Sequence, residues 1–274
     1  MGATQWIERP GGRVAYDVEG EGPLVVLVPG MGDLRQEYRY LGPQLLAAGY
    51  RVATTDLRGH GDSDAGFDAY GDIPTAEDVL ALADALSPDA PVVLVGNSMG
   101  AAAVCWAAAE RPDRVAGLVL LGPVARDVPM SPVLGWLMRA ALTRPWGPAV
   151  WPAYQQSLFA GRPPADHATH RARIRASLRD PARWRAFRAT VTTLTHAPVA
   201  ARLGEIGAPA LVVMGGKDPD FKDPAAEAAW LGETLGAEVL VRPASGHYPH
   251  ADDPTAVGPA VTAFLARLAL RADA

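Results

Sequence analysis

The residues best equipped for covalent chemistry are a serine, a histidine and an aspartate that lie far apart along the chain. Ser98 sits in Gly96-Asn97-Ser98-Met99-Gly100, which joins the apolar run Pro91 to Val95 (PVVLV) to an alanine-rich stretch of helical length, Met99 to Glu110. A nucleophile on so sharp a turn between strand and helix takes a strained backbone. The flanking glycines keep the adjoining chain free of side-chain clashes, so the hydroxyl stands exposed. With 28 glycines in 274 residues, a GxSxG string arises by accident roughly 0.07 times per such chain, and the setting between strand and helix makes an accident rarer still.

A serine hydroxyl is a poor nucleophile near neutral pH, so it needs a base within hydrogen-bond reach and a third group that fixes the base's tautomer. Six histidines compete. His247, in Ala-Ser-Gly-His-Tyr-Pro-His, follows the last predicted strand and precedes a helix starting near Pro254, so its loop falls at the catalytic end of a sheet; it is the expected base. His250 reads as a loop anchor or substrate-edge residue. His60, in Arg58-Gly59-His60-Gly61-Asp62-Ser63, reads as part of a structural turn. The expected acid is Asp218 in Gly215-Gly216-Lys217-Asp218-Pro219, again after a strand-like run, with Asp220 as its rival.

Acyl transfer places negative charge on a substrate oxygen, and two backbone N–H groups should point at it. Met99, the residue after the nucleophile, supplies one. The other is expected from Pro29-Gly30-Met31-Gly32, where Gly30 lets substrate approach the backbone and Met31 donates; a plain glycine-rich turn is the competing reading. Asn97, the chain's single asparagine, either hydrogen-bonds behind the nucleophile or fills space. Cys105, the single cysteine, lies among alanines and reads as a small buried hydrophobe.

These residues need a scaffold that brings strand ends together. Leu24 to Val28 (LVVLV), Pro91 to Val95, Val115 to Leu121 (VAGLVLL), Pro209 to Met214 (PALVVM) and Ala237 to Val241 (AEVLV) are short continuous apolar runs, as strands buried on both faces read. Helical stretches alternate with them at Gln36 to Ala48, Ala76 to Leu86, Met99 to Glu110 and Pro224 to Leu235, so the expected fold is α/β with a mostly parallel central sheet flanked by helices. The alternation stops from about Gly122 to Leu203, where apolar residues recur at helical spacing instead. The expected organisation is a core of residues 1–122 and 204–274 with a helical lid, 123–203, above the carboxyl ends of the strands.

Trp136, Met138, Trp146, Trp151, Tyr154 and Phe159 are concentrated in that insertion. Trp136, Trp151 and Tyr154 are the expected wall of a pocket for an apolar acyl or alcohol group. The insertion also carries twelve arginines against three acids, a net +9 where the remainder of the chain has −14. That excess would attract an anionic substrate; the four-residue spacing of Arg171, Arg175 and Arg179 fits a solvated helix face better.

The bulk properties narrow the classes. An apolar content of 49% supports one large core. A net charge of −5 and pI near 5.7 argue against nucleic acid as a partner. No apolar run reaches a membrane span of roughly 20 residues, and MGATQWIERPGG lacks leader character, so a cytoplasmic protein is expected. One cysteine allows no internal disulfide, and no Cys/His cluster has zinc-site spacing, so no metal is expected.

The PGMG loop, the DLRGHGDS stretch, the GNSMG elbow, the GGKDP turn and the GHYPHADDP loop, in Ser, Asp, His order, resemble the α/β-hydrolase superfamily across nearly the whole length. The resemblance implies an α/β-hydrolase fold with a lid after the sixth strand, and a cofactor-free serine esterase. Many members have His-Gly where this chain has Pro29-Gly30, which leaves the oxyanion assignment open. GNSMG is also similar to the elbow of the meta-cleavage C–C hydrolases, whose Gly-rich loop and Trp-bearing histidine loop are missing here. Thioesterase, lactonase, perhydrolase and C–C hydrolase chemistry share the same three residues. A ligand receptor keeping the fold is the alternative of another class. A Rossmann-type enzyme lacks its GxGxxG.

Overall fold

A computed structural model describes residues 3–128, 131–143, 145–160 and 163–268, and the side chain of Met138 lies outside what it describes. Eight strands form one sheet: β1 (Gln5–Arg9), β2 (Gly12–Glu19), β3 (Leu24–Val28), β4 (Arg51–Thr55), β5 (Val92–Asn97), β6 (Val115–Leu121), β7 (Ala210–Gly215) and β8 (Glu238–Arg242). Their order is β1-β2-β4-β3-β5-β6-β7-β8. β2 runs antiparallel to both its neighbours, and β3 to β8 are parallel.

The central strands read as unbroken apolar runs because both faces of the sheet are covered. Alternate residues point to opposite sides. Val26, Leu94 and Leu118 feed one core, and Val25, Val93 and Val119 feed the other. The first core is closed by α2 (Asp72–Leu86), α3 (Met99–Glu110) and α9 (Pro224–Leu235), and the second by α1 (Leu41–Ala47) and α11 (Pro254–Leu265). Helix α3 is buried at ten of its positions, seven of them alanine or glycine, so its backbone lies close against the sheet. That closeness places the first turn of α3 directly after the end of β5.

Between β6 and β7 come α4 (Pro132–Ala141), α5 (Gly147–Leu158), α6 (His167–Arg179), α7 (Pro181–Thr193) and α8 (Ala197–Arg202), with no strand among the described residues. Leu142, Trp151, Ile174, Leu178, Trp184 and Phe187 form a separate apolar cluster there, joined by Leu34 from the loop after β3. Asp180 caps α7, accepting from the amides of Ala182 (2.8 Å) and Arg183 (2.9 Å). Val199 of α8 belongs to the sheet's own core, so the last of these helices is anchored in the α/β layers. No helix among the described residues is long and apolar enough to cross a membrane.

The expected runs at residues 24–28 and 115–121 coincide with β3 and β6, while residues 36–48 are divided. Arg35–Tyr38 form a 3-10 turn and α1 starts at Leu41. The division arises because Arg35, Glu37 and Tyr38 turn inward to polar partners: Arg35 binds Asp17 at 2.8 Å, and Tyr38 donates to the Val28 carbonyl at 2.6 Å. A short 4-residue helix, α10 (Pro249–Asp252), follows the histidine loop.

Candidate active site

Ser98 follows β5 with φ 54 and ψ −121, and it is the one non-glycine at positive φ among the described residues. Such a conformation costs of order 1–3 kcal/mol and persists only where its surroundings impose it. Here the imposition is visible. A Cβ at Gly96 would collide with the Gly100 carbonyl, and one at Gly100 with the Val28 carbonyl, so the turn passes between two strand ends with no space to relax. Ser98 N–H donates to the Leu121 carbonyl of β6 at 3.1 Å. The serine is half-buried, between a buried Asn97 and a buried Met99.

Asp218 and His247 come together as the chain order suggested. His247 Nδ1 lies 2.7 Å from Asp218 Oδ2, and both residues are 2% exposed. Asp220 Oδ2 is farther, at 3.6 Å from the same nitrogen, and the Asp220 amide donates to Asp218 Oδ1 at 3.0 Å. Asp218 is therefore the direct partner. The acid turn and histidine loop run side by side: Lys217 N–H donates to the Ser245 carbonyl at 2.9 Å. Burial opposes a charged His247, but Asp218 beside it, helped by Asp220, outweighs burial and lifts the imidazole to about 9.

The histidine loop is stitched to the serine turn by Asn97, whose Nδ2 donates to the carbonyls of Leu121 (2.8 Å) and His247 (3.1 Å). Of the two readings left open for Asn97, the hydrogen bond is the one observed. His250, by contrast, is buried with its Nε2 3.1 Å from Glu37 Oε1 and its ring stacked on Tyr38; it anchors the loop.

The loop after β3 lies against the serine turn. A Cβ at Gly30 would lie 3.1 Å from Ser98 Cβ and 2.7 Å from Asn97 Oδ1, so only glycine fits this contact. Gly30 N–H donates to Glu37 Oε2 at 3.0 Å and Gly32 N–H to His60 Nε2 at 3.0 Å. Met99 opens α3, and the first N–H groups of a helix have no partner within it. His60 belongs to a turn, as its glycine-rich surroundings suggest, but its bond to this loop has no sequence signature, since any residue pair can be brought to 3 Å by folding.

Trp151 is buried against Gly32, donating from Nε1 to the Gly32 carbonyl at 3.3 Å, and its ring centroid is 5.4 Å from that of Tyr154. Tyr154 hydroxyl donates to Asp220. These two residues thus touch the loops that carry the candidate oxyanion donors and the acid. Trp136 is different: it is 67% exposed on α4, without a ring contact to them among the described residues. Trp146 is also exposed, and Phe159 is buried against Tyr248 at 4.7 Å.

A polar connection ties α5 and α6 to the same loop. Asp33 Oδ1 is 2.6 Å from His170 Nε2, and Gln155 Nε2 donates to Asp33 Oδ2 at 3.2 Å, all three buried. Burial opposes ionisation of Asp33, but His170 more than offsets it and holds the carboxyl below its ordinary value. The Leu158 carbonyl, at the end of α5, accepts from His247 N–H at 2.8 Å. As for cations, Asp218, Asp220 and His247 are the described residues whose donor atoms all lie within 4.8 Å of one another. The 2.7 Å between His247 and Asp218 is the length of a direct N–H···O bond.

Comparisons with known proteins agree with this frame. The model of the alpha/beta hydrolase family matches residues 25–260. A 2-hydroxy-6-oxo-6-phenylhexa-2,4-dienoate hydrolase of Burkholderia cepacia is 38% identical over 116 residues, 40% of each chain. A pyrethroid hydrolase of Sphingobium wenxiniae is 35% identical over 113 residues, 39% of this chain and 38% of that one. The matched region thus spans about two fifths of these relatives' length. Among solved structures, a thermophilic esterase from Thermogutta terrifontis superposes with a TM-score of 0.79 at 25% identity, over 97% of this chain and 99% of that one. A hydrolase from Pseudomonas aeruginosa gives 0.79 at 26%, over 96% and 98%. With its eight-stranded sheet, strained serine turn and family match over most of its length, the chain belongs to the alpha/beta hydrolase family.

Proposed function

We propose that the chain is a serine hydrolase that cleaves a carboxylic ester through an acyl-enzyme. The observation that carries this reading is the buried His247–Asp218 bond of 2.7 Å in a loop whose His247 carbonyl is held by Asn97, the residue before the strained Ser98.

In this reading Asp218 holds the proton on His247 Nδ1, which leaves Nε2 free to take a proton from Ser98. The serine oxygen attacks the ester carbonyl as its proton passes to Nε2, and the carbonyl oxygen becomes an oxyanion facing the amides of Met31 and Met99. Of the PGMG amides, those of Gly30 and Gly32 are engaged by Glu37 and His60, which supports Met31 as the donor. The intermediate collapses, the C–O bond to the alcohol breaks, and the alcohol leaves with the proton from His247. Water then gives its proton to His247 and attacks the acyl-serine; the acid departs and Ser98 regains its proton.

Helices α4 to α7 of the 123–203 insertion act as the cap over this centre, docked through Asp33, His170 and Gln155, while α8 belongs to the α/β layers. Gly30, Trp151 and Tyr154 face the substrate's apolar acyl or alcohol part, and Trp136 stands at the outer edge of the cap. The Burkholderia relative named for a dienoate substrate keeps C–C bond hydrolysis as the second reading, with thioester and lactone cleavage on the same residues. A cofactor is not required for any of them.

The test is direct. A fluorophosphonate probe labels the wild type and not Ser98→Ala, and a short-chain aryl ester is turned over by the wild type alone. Wild-type turnover by the alanine variant would remove Ser98 as nucleophile. Labelling with negligible turnover across esters, thioesters, lactones and dienoates would favour a receptor on the same fold.

A further inference from the structure

His60 is 1% exposed and lies between the turn that contains it and the loop after β3. Its two ring nitrogens do separate work. Nδ1 is 2.9 Å from the Arg58 carbonyl, and Nε2 is 3.0 Å from the Gly32 amide. A carbonyl only accepts and an amide only donates, so Nδ1 carries the proton and Nε2 presents its lone pair; one neutral tautomer satisfies both. Burial pushes the imidazole below its ordinary value, which keeps that tautomer in place. The Arg58 side is itself rigid, since its guanidinium meets Asp78 at 2.6 and 2.8 Å.

The consequence falls on Met31. The amide before it, of Gly30, is held by Glu37, and the amide after it, of Gly32, is held by His60. On its other side the Gly32 carbonyl accepts from Trp151 at 3.3 Å. The peptide unit that carries the Met31 N–H is held by its own carbonyl, that of Gly30, which accepts from the Asp33 amide at 3.1 Å. Peptide units are planar and each residue has two soft dihedrals, so pinning the units on both sides as well fixes where the Met31 N–H points.

We propose that His60 is a positioning residue for the oxyanion hole: by accepting from the Gly32 amide, its Nε2 aims the Met31 N–H at the oxyanion that forms on the substrate when Ser98 adds to its carbonyl. This rests on the serine-hydrolase reading above and deepens it. A merely structural turn needs only the Nδ1 bond to Arg58, and the two roles separate in amide variants. Glutamine at position 60 reaches the place of Nε2 with an acceptor oxygen. Asparagine reaches only the place of Nδ1, where it keeps a donor for Arg58 and leaves the Gly32 amide without an acceptor.

The experiment compares wild type, His60→Asn and His60→Gln at a temperature where melts show all three folded. It reads aryl-ester kinetics and the affinity for an aryl boronic acid, whose adduct with serine carries charge where the oxyanion would. The Asn variant should lose about 10- to 100-fold in kcat and in boronate affinity together, since misplacing a group by about 1 Å costs up to this much, with KM little changed. The Gln variant should stay within about threefold of wild type. An active Asn variant beside an impaired Gln variant, or a kcat loss without loss of boronate affinity, would overturn the proposal. Hydrogen exchange over residues 29–34 keeps this distinct from the hydrolase reading. Faster exchange in Asn and not in Gln is expected whether or not esters are cleaved, and equal exchange in all three overturns the clamp. A wild type that neither cleaves esters nor binds boronate sinks the hydrolase reading, and with it the oxyanion role of His60.

Discussion

At the scale of single residues, the charge around His247 makes a prediction about pH. The imidazole is lifted to about 9 because Asp218 and Asp220 outweigh its burial, and a general base works only when neutral. The kcat/KM for a neutral ester should therefore rise with pH and level off above about 9. Asp220→Asn removes the second carboxylate, 3.6 Å away, and should move the midpoint down while the plateau survives. Asp218→Asn should cost about 10⁴ in kcat, through loss of the tautomer that Asp218 holds. A profile flat from neutral upward, with both variants active, would remove His247 as the base. The same shift bears on stability in a definite direction. A folded-state value raised above the ordinary 6.5 means a contribution complete below that pH and lost as pH rises through about 9. Of the candidate site, Ser98, Asp218 and His247 stand out in the sequence because each follows a strand run. His60, Glu37 and the partners of Asn97 do not, because a side chain pinned to a distant backbone amide or carbonyl leaves no pattern in its own neighbourhood.

Elements carry predictions of their own where two of them meet. The first turn of α3 passes so near β3 that a Cβ at Gly100 meets the Val28 carbonyl. Backbone cannot give way as a flexible side chain does, so Gly100→Ala should destabilise by about 1–3 kcal/mol, lower the midpoint of melting by roughly 2–10 °C and disturb Ser98 besides. A variant melting and turning over like wild type would mean that the elbow is looser than its contacts indicate. At the junction of α5 and α6 with the loop after β3, Asp33→Ala leaves the buried His170 and Gln155 without their acceptor. Breaking a buried pair in this way costs about 3–5 kcal/mol. Adding His170→Ala should recover part of that loss, because the stranded partner is then gone; denaturant titrations of the single and double variants would measure the coupling. The elements themselves were unequally visible. β3, β5, β6 and β7 are covered on both faces and read as apolar runs, whereas β1, β2 and β4 do not. β1 lies at the sheet's edge with its residues exposed or half-buried, β2 carries Asp17 to meet Arg35, and β4 ends in Thr54 and Thr55, so polar residues interrupt the signal that marks the centre.

For the molecule as a whole, buried histidines and uneven charge set the response to solution conditions. Burial drives His250 down to about 3 and lowers His60, so both are neutral when folded and take up protons on unfolding. Their contribution is present above about 6.5 and is lost as pH falls through their folded values, the opposite sense to His247. Urea midpoints should decline on both sides of a maximum between those limits. The net +9 of residues 124–203 raises a separate question, whether that field guides an anionic substrate. On α6 the buried residues are His167, His170, Ile174 and Leu178. Arg171, of the expected solvated face, is instead half-buried and donates to Gln156 Oε1 at 2.7 Å and the Pro152 carbonyl at 3.1 Å, while Arg173 and Arg175 are exposed on the remainder of the helix. Charges so placed are surrounded by water, and salt screens them within about 10 Å at moderate ionic strength. Substrate held between the serine turn, Trp151 and Tyr154 would feel little of them. The expected outcome is that rates with neutral and anionic aryl esters of equal size change alike as ionic strength is raised. A much steeper fall for the anionic ester, abolished by changing Arg173 and Arg175 to glutamine, would instead make the arginine face part of substrate capture.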